Sequence, residues 1–266
     1  MIAKKKSLRK SKMPLYLAGC LLVVGAGGLA VVLVMKYFPR AGKISTPATT
    51  NGPSARPATG APPVMTVSNF VAQTTDPAVL MKAGLELLEA KRFQEALVCY
   101  QRALELSPDD EEAHFNVGCA LSKLGRPAEA IKQYEEALKL LPDFLEAHNN
   151  LGNALVAQKK YDEAKAHYLA VLKITPDHAS AHNNLGRVLA EEGRMKEALQ
   201  HFFEAVKANP NYKDAHFNLA VAYAALEKHA EAAAEYEMVL RLDPGYRPAV
   251  QGLALSRRVL EKPRKP

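Results

Sequence analysis

Residues 145–178 read LEAHNNLGNALVAQKKYDEAKAHYLAVLKITPDH, and the same pattern stands five times in the chain. Pro176 in this stretch has counterparts at Pro108, Pro142, Pro210 and Pro244, each 34 residues from the next. An Ala lies twelve residues before each proline, at Ala96, Ala130, Ala164, Ala198 and Ala232. An aromatic lies eight before it, at Tyr100, Tyr134, Tyr168, Phe202 and Tyr236. A small residue or Val lies five before it, at Ala103, Ala137, Val171, Ala205 and Val239. So strict a period means that one structural unit repeats and that its neighbours pack in one register. Within the quoted unit, Leu151, Ala154 and Leu155 fall at helical spacing along Leu145–Lys159. A break at Lys159-Lys160 leads into Tyr161–Ile174, with Ala164, Tyr168, Val171 and Leu172 on one face. Pro176 ends that second helix, because proline lacks the N–H and cannot continue it. Gly152 and its counterparts Gly84, Gly118 and Gly186 predict close approach of the two helices opposite the alanine of the second; in the fifth unit this glycine is Ala220. Pro127 opens a second helix, where its missing N–H costs nothing.

Outward from the repeats the composition changes. The 266-residue chain carries a formal net charge of +7, unevenly spread. Residues 1–43 hold nine Lys and Arg and no acid, and residues 247–266 hold six bases against one acid. The repeat block 77–246 holds 19 bases and 26 acids, an acidic surface that repels phosphates and argues against nucleic acid as its partner. A basic leader, 1–13, precedes an uncharged run from Leu15 to Met35, and the expected transmembrane helix occupies 14–37. Such a run spans about 30 Å as a helix, and Tyr16, Lys36, Tyr37 and Arg40 stand where interface anchors belong. The bias of bases predicts a cytoplasmic N-terminus with the repeats on the outer side, best fitted by a bacterial inner membrane facing the periplasm. Leu17-Ala18-Gly19-Cys20 matches the pattern before an acylated cysteine, but the strongest apolar run follows Cys20, which favours an uncleaved anchor. Residues 38–76, rich in Pro, Ala and Thr, read as a flexible linker reaching roughly 30–35 Å. Within it Val64–Ala72 is the most apolar part; docking on the first repeat is the alternative, and the segment is read with the linker. Pro248–Leu260 reads as a helix that shields the last apolar face, within a capping segment 247–261, and 262–266 as a polar tail.

The period and these positions together resemble five tetratricopeptide (TPR) repeats at 77–110, 111–144, 145–178, 179–212 and 213–246. The resemblance implies an all-α, right-handed superhelix of five helix-turn-helix repeats with a C-terminal capping helix. It also implies a concave groove, lined by the first helix of each pair, that receives a protein or peptide partner. The family's large aromatic at the fourth position is here Leu80, His114, His148, His182 and His216. Equivalent residues in stacked helices lie about 10 Å apart, too far to share an ion, so these read as packed or half-exposed imidazoles.

At the sixth position stand Asn116, Asn150, Asn184 and Asn218, with Lys82 in the first unit. A carboxamide both donates and accepts, so such a row suits the repeating amides of an extended peptide; the alternative is a role in repeat packing. The row resembles the asparagine ladder of O-GlcNAc transferase TPR regions. The expected groove set adds Phe115, Asn149, Asn183 and Phe217 at the fifth position and Asn153 and Arg187 at the ninth. The Lys and Arg of the family's carboxylate clamp are missing; Met81, Leu85, Glu112, Glu146, Asp214 and Asn184 stand there. Cys99 and Cys119 lie either side of the turn at Pro108, and a disulfide between them is a further alternative. No catalytic, phosphate-loop, cofactor or metal motif occurs, so the chain reads as a membrane-tethered adaptor and not an enzyme. The alternatives are a permanent subunit of an envelope assembly, of cytochrome-maturation, pilus or secretion type, and an accessory subunit of an enzyme such as a glycosyltransferase.

Overall fold

In a computed structural model, residues 66–261 are described and form twelve helices with no strand among them. The leader, the apolar run 14–37 with Cys20, most of the linker and the tail 262–266 lie outside the described residues. Among the described residues no helix is long and apolar enough to cross a membrane. α1 (Val67–Gln73) precedes five pairs: α2 (Pro77–Glu89) with α3 (Phe93–Leu106), α4 (Glu111–Lys123) with α5 (Pro127–Leu140), and α6 (Leu145–Ala157) with α7 (Tyr161–Ile174). Then come α8 (Ala179–Glu191) with α9 (Met195–Ala208), α10 (Lys213–Ala225) with α11 (His229–Leu242), and the closing α12 (Arg247–Leu260).

The turn inside each pair repeats as faithfully as the helices. Lys91, Gly125, Lys159, Gly193 and Glu227 all adopt positive φ, between 60° and 78°. In the third repeat Lys160 N–H reaches the Leu155 carbonyl at 3.0 Å and Lys159 N–H reaches that of Val156 at 2.9 Å. This Schellman arrangement satisfies the last carbonyls of the first helix and reverses the chain. All five pairs use it.

Each pair then closes on one aromatic. The glycines of the first helices face first the ring of the second; the alanine expected from the sequence comes close at Gly186, where the Ala198 carbonyl oxygen lies 3.2 Å from where a Cβ would stand. A Cβ on Gly84 would stand 2.4 Å from Tyr100, on Gly118 2.6 Å from Tyr134, and on Gly152 2.5 Å from Tyr168. Ring against bare backbone is what lets the helices approach, and the alanines Ala96, Ala130, Ala164, Ala198 and Ala232 are buried beside it. The core continues through Leu97, Leu121, Ile131, Leu151, Leu155, Leu185, Val188, Leu189 and Leu219.

The ends of the stack are sealed differently. Val67, Phe70 and Val71, at helical spacing on α1, pack with Leu80, Cys99 and Ala103 of the first pair. The segment read as part of the linker is therefore a docked helix, capped by Thr66, whose side chain accepts from Asn69 N–H at 3.3 Å. The departure at Leu80 now has a cause. Each histidine at the fourth position places Nε2 near the carbonyl of the proline that closes the preceding repeat, as His148 does to Pro142 at 2.9 Å. The first repeat has no such proline before it, and an apolar side chain under α1 replaces the imidazole. At the other end, α12 sets Gly252 against the ring of Tyr236 and buries Ala249 and Ser256.

Candidate functional site

Successive first helices touch one another directly, α4 with α6, α6 with α8, α8 with α10 and α10 with α12, and they lie closer than successive second helices do. The stack therefore bends with the first helices on its inner side. Asn116, Asn150, Asn184 and Asn218 occupy equivalent places on α4, α6, α8 and α10.

Hydrogen bonds give the row a role in packing. Asn184 Nδ2 donates to Asn149 Oδ1 at 3.0 Å, and Asn218 Nδ2 donates to Asn183 Oδ1 at 2.8 Å. Asn150 Nδ2 donates back to Cys119 Sγ at 3.5 Å. Each of these reaches from one repeat to the one before, so the ladder stitches repeats together. Asn183 in turn donates to Tyr212 Oη at 3.4 Å. Of the two roles that the sequence left open, packing is the one these hydrogen bonds show. What the stitching leaves uncommitted is the acceptor: the Oδ1 atoms of Asn150, Asn184 and Asn218 receive no protein hydrogen bond among the described residues.

The other expected groove residues divide. Asn183 and Asn184 are only 2% and 8% exposed, so they belong as much to the wall as to the surface. Phe115 is buried against Phe144, with ring centroids 4.8 Å apart, and against Tyr134 at 5.9 Å. It is core, not an open apolar contact, because Phe144 folds over it. Phe217 is half-buried, edge-on to Tyr246 at 5.3 Å. Asn116, Asn149, Asn150, Asn218 and Arg187 are half-buried and Asn153 is exposed. Arg187 makes no ion pair, and Asn116 makes no side-chain hydrogen bond, among the described residues. Asn153 Oδ1 accepts from the Tyr168 phenol at 2.8 Å.

Phe144, Tyr212 and Tyr246 were missing from the sequence-derived set. They share the last position of their repeats, and each covers the fifth-position residue of the same repeat: Phe115, Asn183 and Phe217. The 34-residue period that aligns the other positions also aligns these three aromatics.

The two cysteines are apart in role. Cys99 is buried beneath α1, whereas Cys119 takes the Tyr134 hydroxyl at 3.6 Å and the Asn150 amide. Both thiols are free, and no disulfide joins them. Burial pushes the Cys119 thiol up to about 11, which keeps it protonated and slow to oxidise. Among the described residues no group of three or more His, Cys, Asp or Glu is placed to hold a metal ion.

Family models described as tetratricopeptide repeat match residues 117–177 with 149–212 and 189–255, and one described as TPR repeat matches 84–125. No curated protein matches the chain. Among solved structures, pilF of Pseudomonas aeruginosa is similar at 21% identity and TM-score 0.65, covering 70% of this chain and 84% of that one. MamA 41-end from Desulfovibrio magneticus RS-1 is similar at 23% identity and TM-score 0.56, covering 64% and 96%. YrrB, described as a TPR protein with an unusual peptide-binding site, is similar at 22% identity and TM-score 0.52, covering 70% and 96%. At these identities the likeness is one of fold. TPR solenoids are typically non-catalytic scaffolds for protein–protein interaction. The repeat period, the solenoid and the family matches agree: residues 84–255 of this chain are built of tetratricopeptide repeats.

Proposed function

We propose that the chain is a membrane-tethered adaptor that holds an extended peptide, or the edge of a partner helix, along the inner face of its solenoid. The observation that carries the reading is the row of asparagine carbonyl oxygens on α6, α8 and α10. Their amide N–H groups are anchored on the preceding repeat, so the acceptors are held at the spacing of the repeats and await donors. Peptide N–H groups are such donors, and they recur whatever the side chains are. Arg187 in the middle of the row adds a cation for an acidic side chain or a carbonyl. The apolar run Leu15–Met35 and the bases around it support the tether, and the acidic repeat block supports a protein partner over nucleic acid.

The test uses side chains that carry no packing hydrogen bond. Full-length protein is screened on an array of immobilised unstructured peptides, wild type beside Asn116→Ala with Arg187→Ala. The double variant loses binding about tenfold or more on the peptides that wild type holds, with an unchanged urea midpoint. Retained binding of the same peptides at the same strength overturns the groove reading. Carbonate-resistant sedimentation with membranes checks the tether, and release into the soluble fraction overturns it.

A further inference from the structure

In repeats two to five the histidine at the fourth position of the first helix makes the same pair of contacts. Its Nε2 lies 3.2 Å from the Pro108 carbonyl for His114, and 2.9 Å from those of Pro142, Pro176 and Pro210 for His148, His182 and His216. A carbonyl only accepts, so Nε2 carries the proton and Nδ1 of the neutral ring is an acceptor. The group facing Nδ1 comes from the second helix of the same repeat, nineteen residues on, and it changes along the array. It is Gln133 at 2.9 Å, His167 at 2.9 Å, His201 at 3.0 Å and Glu235 at 2.6 Å.

These partners answer a proton differently. Gln133 can turn its amide to serve the neutral or the charged ring. Glu235 favours the charged ring outright. The two histidine partners do neither. Their ring centroids stand 5.1 and 5.3 Å from those of His148 and His182, with the Nδ1 atoms at 2.9 and 3.0 Å, so the rings meet end-on along one N–H···N line. In the neutral pair His167 Nδ1–H donates to His148 Nδ1. One added proton is accommodated, with His148 donating from both nitrogens and His167 moving its own proton to Nε2. A second added proton sets two N–H groups and two positive charges face to face.

We propose that these two histidine pairs make the third and fourth repeats an acid-release segment, in which double protonation separates α7 from α6 and α9 from α8 and loosens the asparagine row on α6 and α8. The acidic groups nearby do not cancel the effect. Glu163 faces His167 from its own helix, and Glu197 and Glu204 face His201 from theirs. Each is already paired with a base, Glu163 with Lys160, Glu197 with Arg194 and Glu204 with Lys207. From the preceding repeat the uncharged Pro142 carbonyl meets His148, and His178 stands near His182 from the turn before α8. Burial first, and the facing ring second, hold His167 and His201 below the ordinary imidazole range. The fold therefore takes up fewer protons than the unfolded chain. This stabilisation is present above the ordinary imidazole value and is lost as pH falls through the lowered one. His216 has the opposite sign: hydrogen bonding to Glu235 raises it, so its contribution is present in acid and lost as pH rises.

Only the consequence for a ligand rests on the groove reading; the change in the helices does not. The test is amide hydrogen exchange on the full-length protein at about pH 7.5 and about pH 5, corrected for the chemical rate. Wild type loses more protection in α6–α9 than in α4, α5, α10 and α11 on acidification. His167→Gln with His201→Gln, which copies the Gln133 pairing, abolishes that excess. An equal excess in the variant, or none in wild type, overturns the proposal. Imidazole nitrogen spectra give a second readout on wild type: a pair carrying two extra protons with α6–α9 still protected overturns it as well. Peptide binding measured at both pH values then separates the two readings, because acid opening without loss of a bound peptide sinks only the groove.

Discussion

Replacing Gly152 with Ala puts two known effects in competition. The added Cβ meets Tyr168 at Cε1 2.5 Å, Cζ 2.8 Å and Cδ1 3.1 Å. The ring has nowhere to withdraw, because it is 1% exposed and its hydroxyl is held by Asn153 at 2.8 Å. Overpacking of this kind costs about 1–3 kcal/mol. Against it, Ala in place of Gly inside a helix gains about 1 kcal/mol. The clash wins, and the net loss is about 1 kcal/mol. The fifth repeat already carries Ala220 and keeps Tyr236 buried, so its packing has settled around a methyl group. There the reverse change, Ala220→Gly, loses helix propensity and a buried methyl with no clash to relieve, about 1–2 kcal/mol. Urea unfolding of the full-length protein, followed by circular dichroism, measures both. The pair Gly152→Ala with Tyr168→Leu recovers at least about 0.5 kcal/mol relative to additivity, because the obstructing ring is gone. A Gly152→Ala protein with a raised urea midpoint, or a strictly additive pair, would refute the account of why the glycine is there. The same displacement moves α6, which carries Asn149, Asn150 and Asn153, so the variant also weakens any peptide held by the row.

Two further outcomes follow from the same coordinates. Lys159 sits at φ 61° where Gly125 and Gly193 occupy the equivalent turns, so Lys159→Gly gains about 0.5–1 kcal/mol and Gly193→Ala loses a similar amount; unchanged urea midpoints would count against strain at this turn. Glu235→Gln removes the carboxylate that raises His216, so the deficit against wild type is about 1–2 kcal/mol near pH 6 and shrinks as pH rises above the raised imidazole value; a deficit that grows with pH reverses the sign of the argument.

Much of the solenoid could be read without coordinates, because its information is periodic. Pro, Gly, Ala and aromatic at fixed offsets in one 34-residue unit state what must touch what when the unit stacks on itself. The helix pairs and the equivalence of the four asparagines follow from that register. Three readings needed more. Val67, Phe70 and Val71 stand outside the period, and their helical spacing covers only two turns, too short to hold a helix by itself; Leu80 and Cys99 supply the apolar surface that holds them. The glycines oppose rings sixteen residues on, a pairing set by how far the two helices slide against each other. Cys99 and Cys119 sit symmetrically about a turn in the sequence, yet one faces α1 and the other the inner row.

The sequence by itself determined the repeating unit, the acidic character of the block and the residues that recur along one face. Those properties depend on spacing and composition, which a chain carries unfolded. Only the tertiary structure decided how the recurring residues are used. The asparagine donors are spent on the preceding repeat and the acceptors are not, because successive first helices come close enough for one amide to reach the next. The histidines likewise meet partners nineteen residues away, and whether that partner is an amide, a second imidazole or a carboxylate sets each pair's answer to a proton. Spacing fixes which positions are equivalent; the distances across the packed helices fix what each one can do.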